Sequence, residues 1–184
     1  MKMYVNRSAD TLLGGGIIAY PTEGIYGLGC LPDDGDAIVR LLGIKQRKPG
    51  KGLILIVSDV VYLDGWVAPE DRRRLPHPDP AHPVTWIVRP TPQVPAIVRG
   101  DNEGLAVRIT TNAVAAAICD EVEAPIISTS ANVEGRPAAR NRIVLRRQFG
   151  SLVDYVVPGD CGPVSGASEI RHLHSGKIIR RRSA

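Results

Sequence analysis

The sequence predicts one α/β domain over residues 1–184, a mixed sheet with helices packed against it. Three observations carry this expectation. Short apolar runs alternate with segments of helical spacing. Of the 184 residues, 43% are hydrophobic and 23% charged, the balance of a globular chain. A closing pair of apolar segments around Ser175-Gly176 is joined too tightly for a wholly parallel sheet. At this length roughly 70% of the unfolded chain's surface is buried on folding, so a core forms without metals or disulfides. With one Phe, two Trp and five Tyr, that core must rest on Val, Ile, Leu and Ala.

The elements follow in order. Residues 16–20 (GIIAY) read as a buried strand bounded by glycines and Pro21, and TEGIYGLGC (22–30) as a Gly-rich loop. From 34 to 45, Ile38, Leu41, Leu42 and Ile44 fall at helical spacing, with Asp33 or Asp34 as the cap. Lys45, Arg47 and Lys48 complement the dipole at the far end. Residues 53–57 (LILIV) form a continuous apolar strand, and Ser58 or Asp59 caps a helix through Leu63. Four prolines in PHPDPAHP (76–83) impose an irregular connection inside the domain. Strands follow at 84–88 and 105–109, then a helix over 112–122 capped by Thr110 or Thr111. A short strand at 126–128 runs into the polar turn TSANVEGRP. An Arg-rich helix covers 141–149, and strands at 153–157, 170–172 and 178–180 complete the sheet.

Several functions are excluded. No apolar run approaches the ~20 residues of a membrane span, and MKMYVNRSAD lacks a signal-peptide core, so a cytoplasmic protein is expected. Cys30, Cys119 and Cys161 lie far apart with no CxxC pair. The Walker motif, a strand-following GxGxxG and the GxSxG elbow are all missing. The histidines form two pairs, His77/His82 and His172/His174, the latter sharing a strand face; neither has a third ligand, so no metal site is expected.

Charge and polar placement point to a ligand. Residues 136–184 carry ten basic side chains against three acidic ones, a net +7, while residues 1–135 are net −3. Such a stretch suits a polyanion or simply a solvated surface. Three polar segments leave apolar elements at what would be one sheet edge, where ligands of α/β proteins bind. Tyr20-Pro21-Thr22-Glu23 continues into glycines that permit close backbone approach. Lys45, Arg47 and Lys51 place three cations within seven residues, matching adjacent phosphates or serving the helix dipole. Ser128-Thr129-Ser130-Ala131-Asn132 offers four small hydrogen-bonding side chains, as a phosphate or nucleoside cradle or as a turn cap. Arg108 stands inside the apolar strand LAVRIT, where it requires an anion: a ligand carboxylate or a buried Asp or Glu.

These segments, in this order, resemble the YrdC-like family of threonylcarbamoyl-AMP synthases in its short bacterial form. The resemblance runs through IIAYPTEGIYGLG (17–29), LLGIKQRKPGKGLILI (41–56), HPVT (82–85), LAVRIT (105–110), ISTSANVEGRP (127–137) and SEIR (168–171). It implies a twisted mixed sheet with flanking helices around a concave basic cavity. The implied reaction joins L-threonine, bicarbonate or CO2, and ATP into threonylcarbamoyl-adenylate and pyrophosphate. A magnesium ion would accompany ATP, with no permanent cofactor. Downstream transferase proteins would then modify the tRNA adenosine beside the anticodon. By resemblance Lys45, Arg47 and Lys51 are ATP-phosphate residues, Ser130, Asn132 and Arg180 nucleotide contacts, and Thr22, Arg108, Ser128 and Ser168 threonine contacts.

The chain departs from the family pattern at Gly24 (often Thr), Ile56 (often His), Pro80-Ala81-His82-Pro83 and Lys48, which separates Arg47 from Pro49. A competing expectation is a basic module that holds tRNA or double-stranded RNA without catalysis. Few aromatics argue against single-strand stacking.

Overall fold

The computed structural model describes residues 1–133 and 135–182. Among the described residues nine strands form one mixed sheet, which from edge to edge runs 155–156, 18–21, 26–29, 126–130, 54–57, 105–109, 84–88, 169–172 and 178–180. They span Ile18–Pro21 (β1), Tyr26–Gly29 (β2), Ile54–Val57 (β3), Val84–Val88 (β4) and Leu105–Ile109 (β5). Ile126–Ser130 (β6), Tyr155–Val156 (β7), Glu169–His172 (β8) and Ile178–Arg180 (β9) follow. The pairs β1–β7, β3–β5 and β4–β8 are parallel and the other five antiparallel.

The longer helices are Lys2–Leu13 (α1), Gly35–Lys45 (α2), Ala113–Val122 (α5) and Arg142–Phe149 (α6); Pro69–Arg74 (α3) and Ala96–Arg99 (α4) are short. Asp34 caps α2 by accepting from the Ala37 N–H at 2.9 Å. Its last turn closes on Gln46 in the left-handed region (φ 52°). Helix α5 is capped by Asn112 rather than by Thr110 or Thr111. Asn112 Oδ1 accepts from Val114 and Ala115 N–H, both at 3.1 Å, because the Thr110 hydroxyl is committed to Glu23. Residues 60–63 form a 3₁₀ turn capped by Asp59 rather than an α-helix.

Helices α1, α3 and α4 and strand β2 also depart from the sequence expectation. Helix α1 buries Val5, Ser8, Ala9 and Leu12 at helical spacing, a stripe masked by its polar composition. The Gly-rich segment holds strand β2, whose glycines serve close strand approach: a Cβ on Gly29 would lie 2.1 Å from the Ile127 carbonyl oxygen.

Strand alternation divides the core. Leu55, Val57, Val107 and Ile127 face one side with Ile38 and Leu41 of α2 and Leu145 and Phe149 of α6. On the other side Ile18, Tyr20, Ile56 and Ile126 pack under Val5 and Leu12 of α1 and Ile118 of α5. Each large side chain so buried contributes about 1.5–3 kcal/mol. That second face is not roofed along its whole length, and the uncovered part floors a cavity.

Candidate active site

The cavity encloses about 500 Å³, with Ile54, Ala106, Arg108, Ser128 and Ile170 contributed from strands of the sheet. Register explains the floor: Ile54 pairs with both Ala106 and Ser128, so these side chains emerge together. Five of its lining residues are Arg or Lys (Arg47, Lys51, Arg99, Arg108, Arg180) and two are acidic (Glu23, Glu103).

One wall stands where α2 hands over to β3. Arg47 Nη2 donates to the carbonyls of Gly52 at 2.6 Å and Lys51 at 3.2 Å, and Nη1 reaches Thr129 Oγ1 at 3.3 Å. The guanidinium thereby fixes the 3₁₀ turn Pro49–Lys51 and sets the position of Lys51. The inserted Lys48 sits just before this turn, so the four-residue step from Arg47 to Lys51 is kept. Gly52 has φ +63°, and a Cβ there would lie 2.7 Å from the Arg99 carbonyl oxygen, so only glycine closes the loop.

Lys45 and Asn132 are placed differently from the expectation. Neither lines the cavity. Lys45 lies on the buried face of α2 with Ala37, Ile38, Leu41 and Leu42, which sends its ammonium beneath the SxSAN turn. Nζ donates to the Ser130 carbonyl, to the Asn132 carbonyl at 2.9 Å and to Asn132 Oδ1 at 3.2 Å. Ser130 Oγ donates to Asn132 Oδ1 at 2.5 Å, and Asn132 Nδ2 to the Arg136 carbonyl at 2.7 Å. Lys45 and Asn132 thus frame the turn that presents Ser130 to the cavity.

The opposite wall is buried. Arg108 Nη1 donates to Ser168 Oγ at 3.1 Å, and the hydroxyls of Ser168 and Thr85 are hydrogen-bonded to each other at 2.7 Å. Arg108 Nη2 lies 3.4 Å from Glu23 Oε2. Glu23 Oε1 accepts from Thr110 Oγ1 at 2.6 Å and from the Thr111 N–H at 2.9 Å. Burial alone would raise the Glu23 carboxyl; the Arg108 charge, the Thr110 hydroxyl and backbone N–H groups outweigh it and hold the group below the ordinary carboxylate range. Thr22 spends its hydroxyl on the Ile25 carbonyl at 2.7 Å, shaping the β1–β2 turn at the cavity edge. Gly24 fits a close crossing of the chain: a Cβ would lie 2.5 Å from the carbonyl oxygens of both Val164 and Gly166. Ile56 belongs to the apolar cluster beneath α1 and α5.

Arg180 lies opposite Ile170 in the β8–β9 pair and donates from Nη2 to the Ser168 carbonyl at 2.8 Å. Desolvation, then the charges of Arg108 and Arg47, lower its pKa from the usual guanidinium value. The structure therefore brings Arg47, Lys51, Ser130 and Arg180 to one cavity. Thr22, Arg108, Ser128 and Ser168 line the same space. His172 and His174 do not share a strand face. His172 lines the cavity, while His174 lies beyond β8 and binds Asp71 Oδ1 through Nε2 at 2.9 Å. The sequence places Glu23 in the first polar segment without giving it a role of its own, although the anion demanded by Arg108 is its signal. Nor does it mark Thr85, Thr110 or His172 as residues of the site.

The family model Sua5/YciO/YrdC, described as telomere recombination, matches residues 10–183. The chain belongs to this family. Among its relatives, the threonylcarbamoyl-AMP synthase of Nitrosococcus oceani is 44% identical over 179 residues, covering 96% of each chain. That of Xanthomonas euvesicatoria pv. vesicatoria is 42% identical over 181 residues, again covering 96% of each. Solved Sua5/YciO/YrdC structures share the fold. E. coli YciO superposes with a TM-score of 0.80 at 22% identity, over 100% of this chain and 91% of that one. P. abyssi Sua5 complexed with L-threonine gives 0.82 at 24% identity, over 95% of this chain but 52% of the Sua5 chain. The fold of this family member is accordingly a mixed α/β domain on a twisted sheet.

Proposed function

We infer that this chain is a threonylcarbamoyl-AMP synthase that uses ATP and L-threonine. The observation that carries the reading is its identity of 42–44%, over nearly full length, to relatives bearing that name. The cavity supports it chemically. Arg47 and Lys51 suit a triphosphate, with Ser130 as a hydroxyl donor and Arg180 as a further cation. Arg108, with Ser168, Ser128 and Thr22 beside it, suits an amino-acid carboxylate. Lys45 and Asn132 act in this reading by holding the Ser130 turn.

Threonine carbamate, formed with bicarbonate or CO2, attacks the α-phosphorus through an oxygen. A P–O bond forms to the carbamate, the bond to the β-phosphate oxygen breaks, and its electron pair leaves with pyrophosphate. This is nucleotidyl transfer. Positioning of the two substrates and stabilisation of the departing charge by Arg47 and Lys51 lower its barrier without a protein nucleophile. A magnesium ion bound with the triphosphate would supply charge neutralisation there.

Incubating the protein with ATP, L-threonine, bicarbonate and magnesium should release pyrophosphate in a threonine-dependent manner. Release that ignores threonine would overturn the reading in favour of simple ATP hydrolysis. Downstream proteins would pass the threonylcarbamoyl group to tRNA in the cytoplasm. No helix among the described residues is long and apolar enough to cross a membrane. Direct RNA contact would use exposed Arg140, Arg142, Arg146 and Arg147 on and before α6. It should collapse from low to moderate salt, while threonine binding changes little.

A further inference from the structure

The Arg108 wall holds an acid as well as a base, and that acid has bonding capacity left over. Glu23 is 5% exposed and Arg108 8%. Glu23 Oε1 is saturated by Thr110 and Thr111. Its second oxygen, Oε2, is buried without a hydrogen-bond partner among the described residues, although it lies 3.4 Å from Arg108 Nη2. Arg108 Nε is in the same condition, while Nη1 is held by Ser168. A buried ion pair that leaves both an acceptor and a donor unused is costly by itself, and such exceptions mark places built for something else. Glu103, the other acid lining the cavity, is exposed.

An unpartnered acceptor beside an unpartnered guanidinium N–H, in one buried corner, matches a zwitterion whose ammonium and carboxylate sit on a single carbon. We propose that Glu23 is the group that recognises the amino nitrogen of the substrate, accepting an N–H at Oε2 while Arg108 takes the carboxylate. The site then selects α-amino acids over the corresponding hydroxy acids. Glu23 also fixes the nitrogen that must carry the carbamate. This deepens the threonine-side reading and rests on it.

The test is calorimetric titration of the intact chain with L-threonine and with the dihydroxy acid in which hydroxyl replaces the amino group. Wild-type protein should prefer threonine by about tenfold or more, the effect of one hydrogen bond to a charged partner. Glu23→Gln should narrow that preference to within about threefold. If Glu23 serves only to neutralise and orient Arg108, both ligands change together, the ratio survives, and the proposal falls. Should Glu23→Gln fail to fold, the wild-type ratio still decides: equal binding of the two acids overturns amino-group recognition. The outcomes separate from the functional reading. Threonine-dependent pyrophosphate release with no preference for the amine would sink the Glu23 contact alone. An amine preference with no pyrophosphate release would support the contact and sink the synthase.

Discussion

At the wall built from Arg47 and Lys51, the cations ride on a 3₁₀ turn at the rim, half-buried and exposed respectively. Across the cavity Arg108 of β5 and Glu23 of the β1–β2 turn are buried and bonded to Ser168 and Thr110, with Thr85 behind Ser168. The difference tracks what each wall must meet. A polyphosphate brings several charges and its own water, so rim cations suffice and cost the fold little. A small amino acid must be recognised by a few contacts, which gain strength only when water is excluded. The exposed Lys51 should therefore tolerate substitution with mainly a loss of ligand, whereas Arg47, which ties down the 3₁₀ turn, and the buried wall should couple ligand binding to stability.

Arg108→Ala breaks that contrast most severely if it fails. Removing the guanidinium strands the Glu23 carboxylate in a buried site, and breaking one side of such a pair costs about 3–5 kcal/mol. Urea denaturation should show this loss, and calorimetry the loss of threonine binding. A variant as stable as wild type would mean that water reaches Glu23 and that the two walls are equally wet.

Lys45→Met comes next. The ammonium serves the Ser130 and Asn132 carbonyls, and stranding those acceptors costs about 1–3 kcal/mol. ATP affinity should fall with the turn's displacement, and by a factor that added salt does not change. Lys51→Ala should behave oppositely. It should lose less stability than Lys45→Met while ATP binding weakens about tenfold, most visibly at low ionic strength. Matching profiles for the two variants would erase the distinction between a lysine that frames the turn and one that faces the ligand.

The same contrast governs what the sequence could reveal. Rim cations are legible as charge and spacing, and Arg47 and Lys51 line the cavity. Arg108 was legible as a misfit, a charge in the apolar strand LAVRIT, and its need for an anion was sound. Glu23 is eighty-five residues away in the chain and meets it only because the turn after β1 is brought onto the end of β5, where Glu23 bonds Thr110 and Thr111, a fact of tertiary structure that no local pattern encodes. Lys45 shows the converse. Its residue type and spacing match its neighbours, but its helical phase, shared with Leu41 and Leu42, turns it inward. Strand β2 was hidden because Gly27 and Gly29 read as loop residues until the closeness of β6 is known. Helix α1, with Lys2, Arg7 and Asp10 along its outer face, showed too thin an apolar stripe to stand out.

The smallest expected effect concerns acid. Glu23 in the folded protein titrates below the usual value of 4.5, because Arg108, Thr110 and backbone N–H groups overcome the penalty of burial. The unfolded chain therefore binds this proton more readily. The stability contributed by the ionised group is fully present above the unfolded value and drains away as pH falls through the lower folded value. Asp71 and Asp154 are depressed as well, so wild-type stability alone will not isolate Glu23. The difference between wild type and Glu23→Gln does. Urea midpoints should lie farthest apart near about pH 7 and converge toward about pH 4 and below. A gap that stays constant through that window would mean that Glu23 keeps its ordinary affinity for a proton, and hence that its wall of the cavity is no drier than the rim.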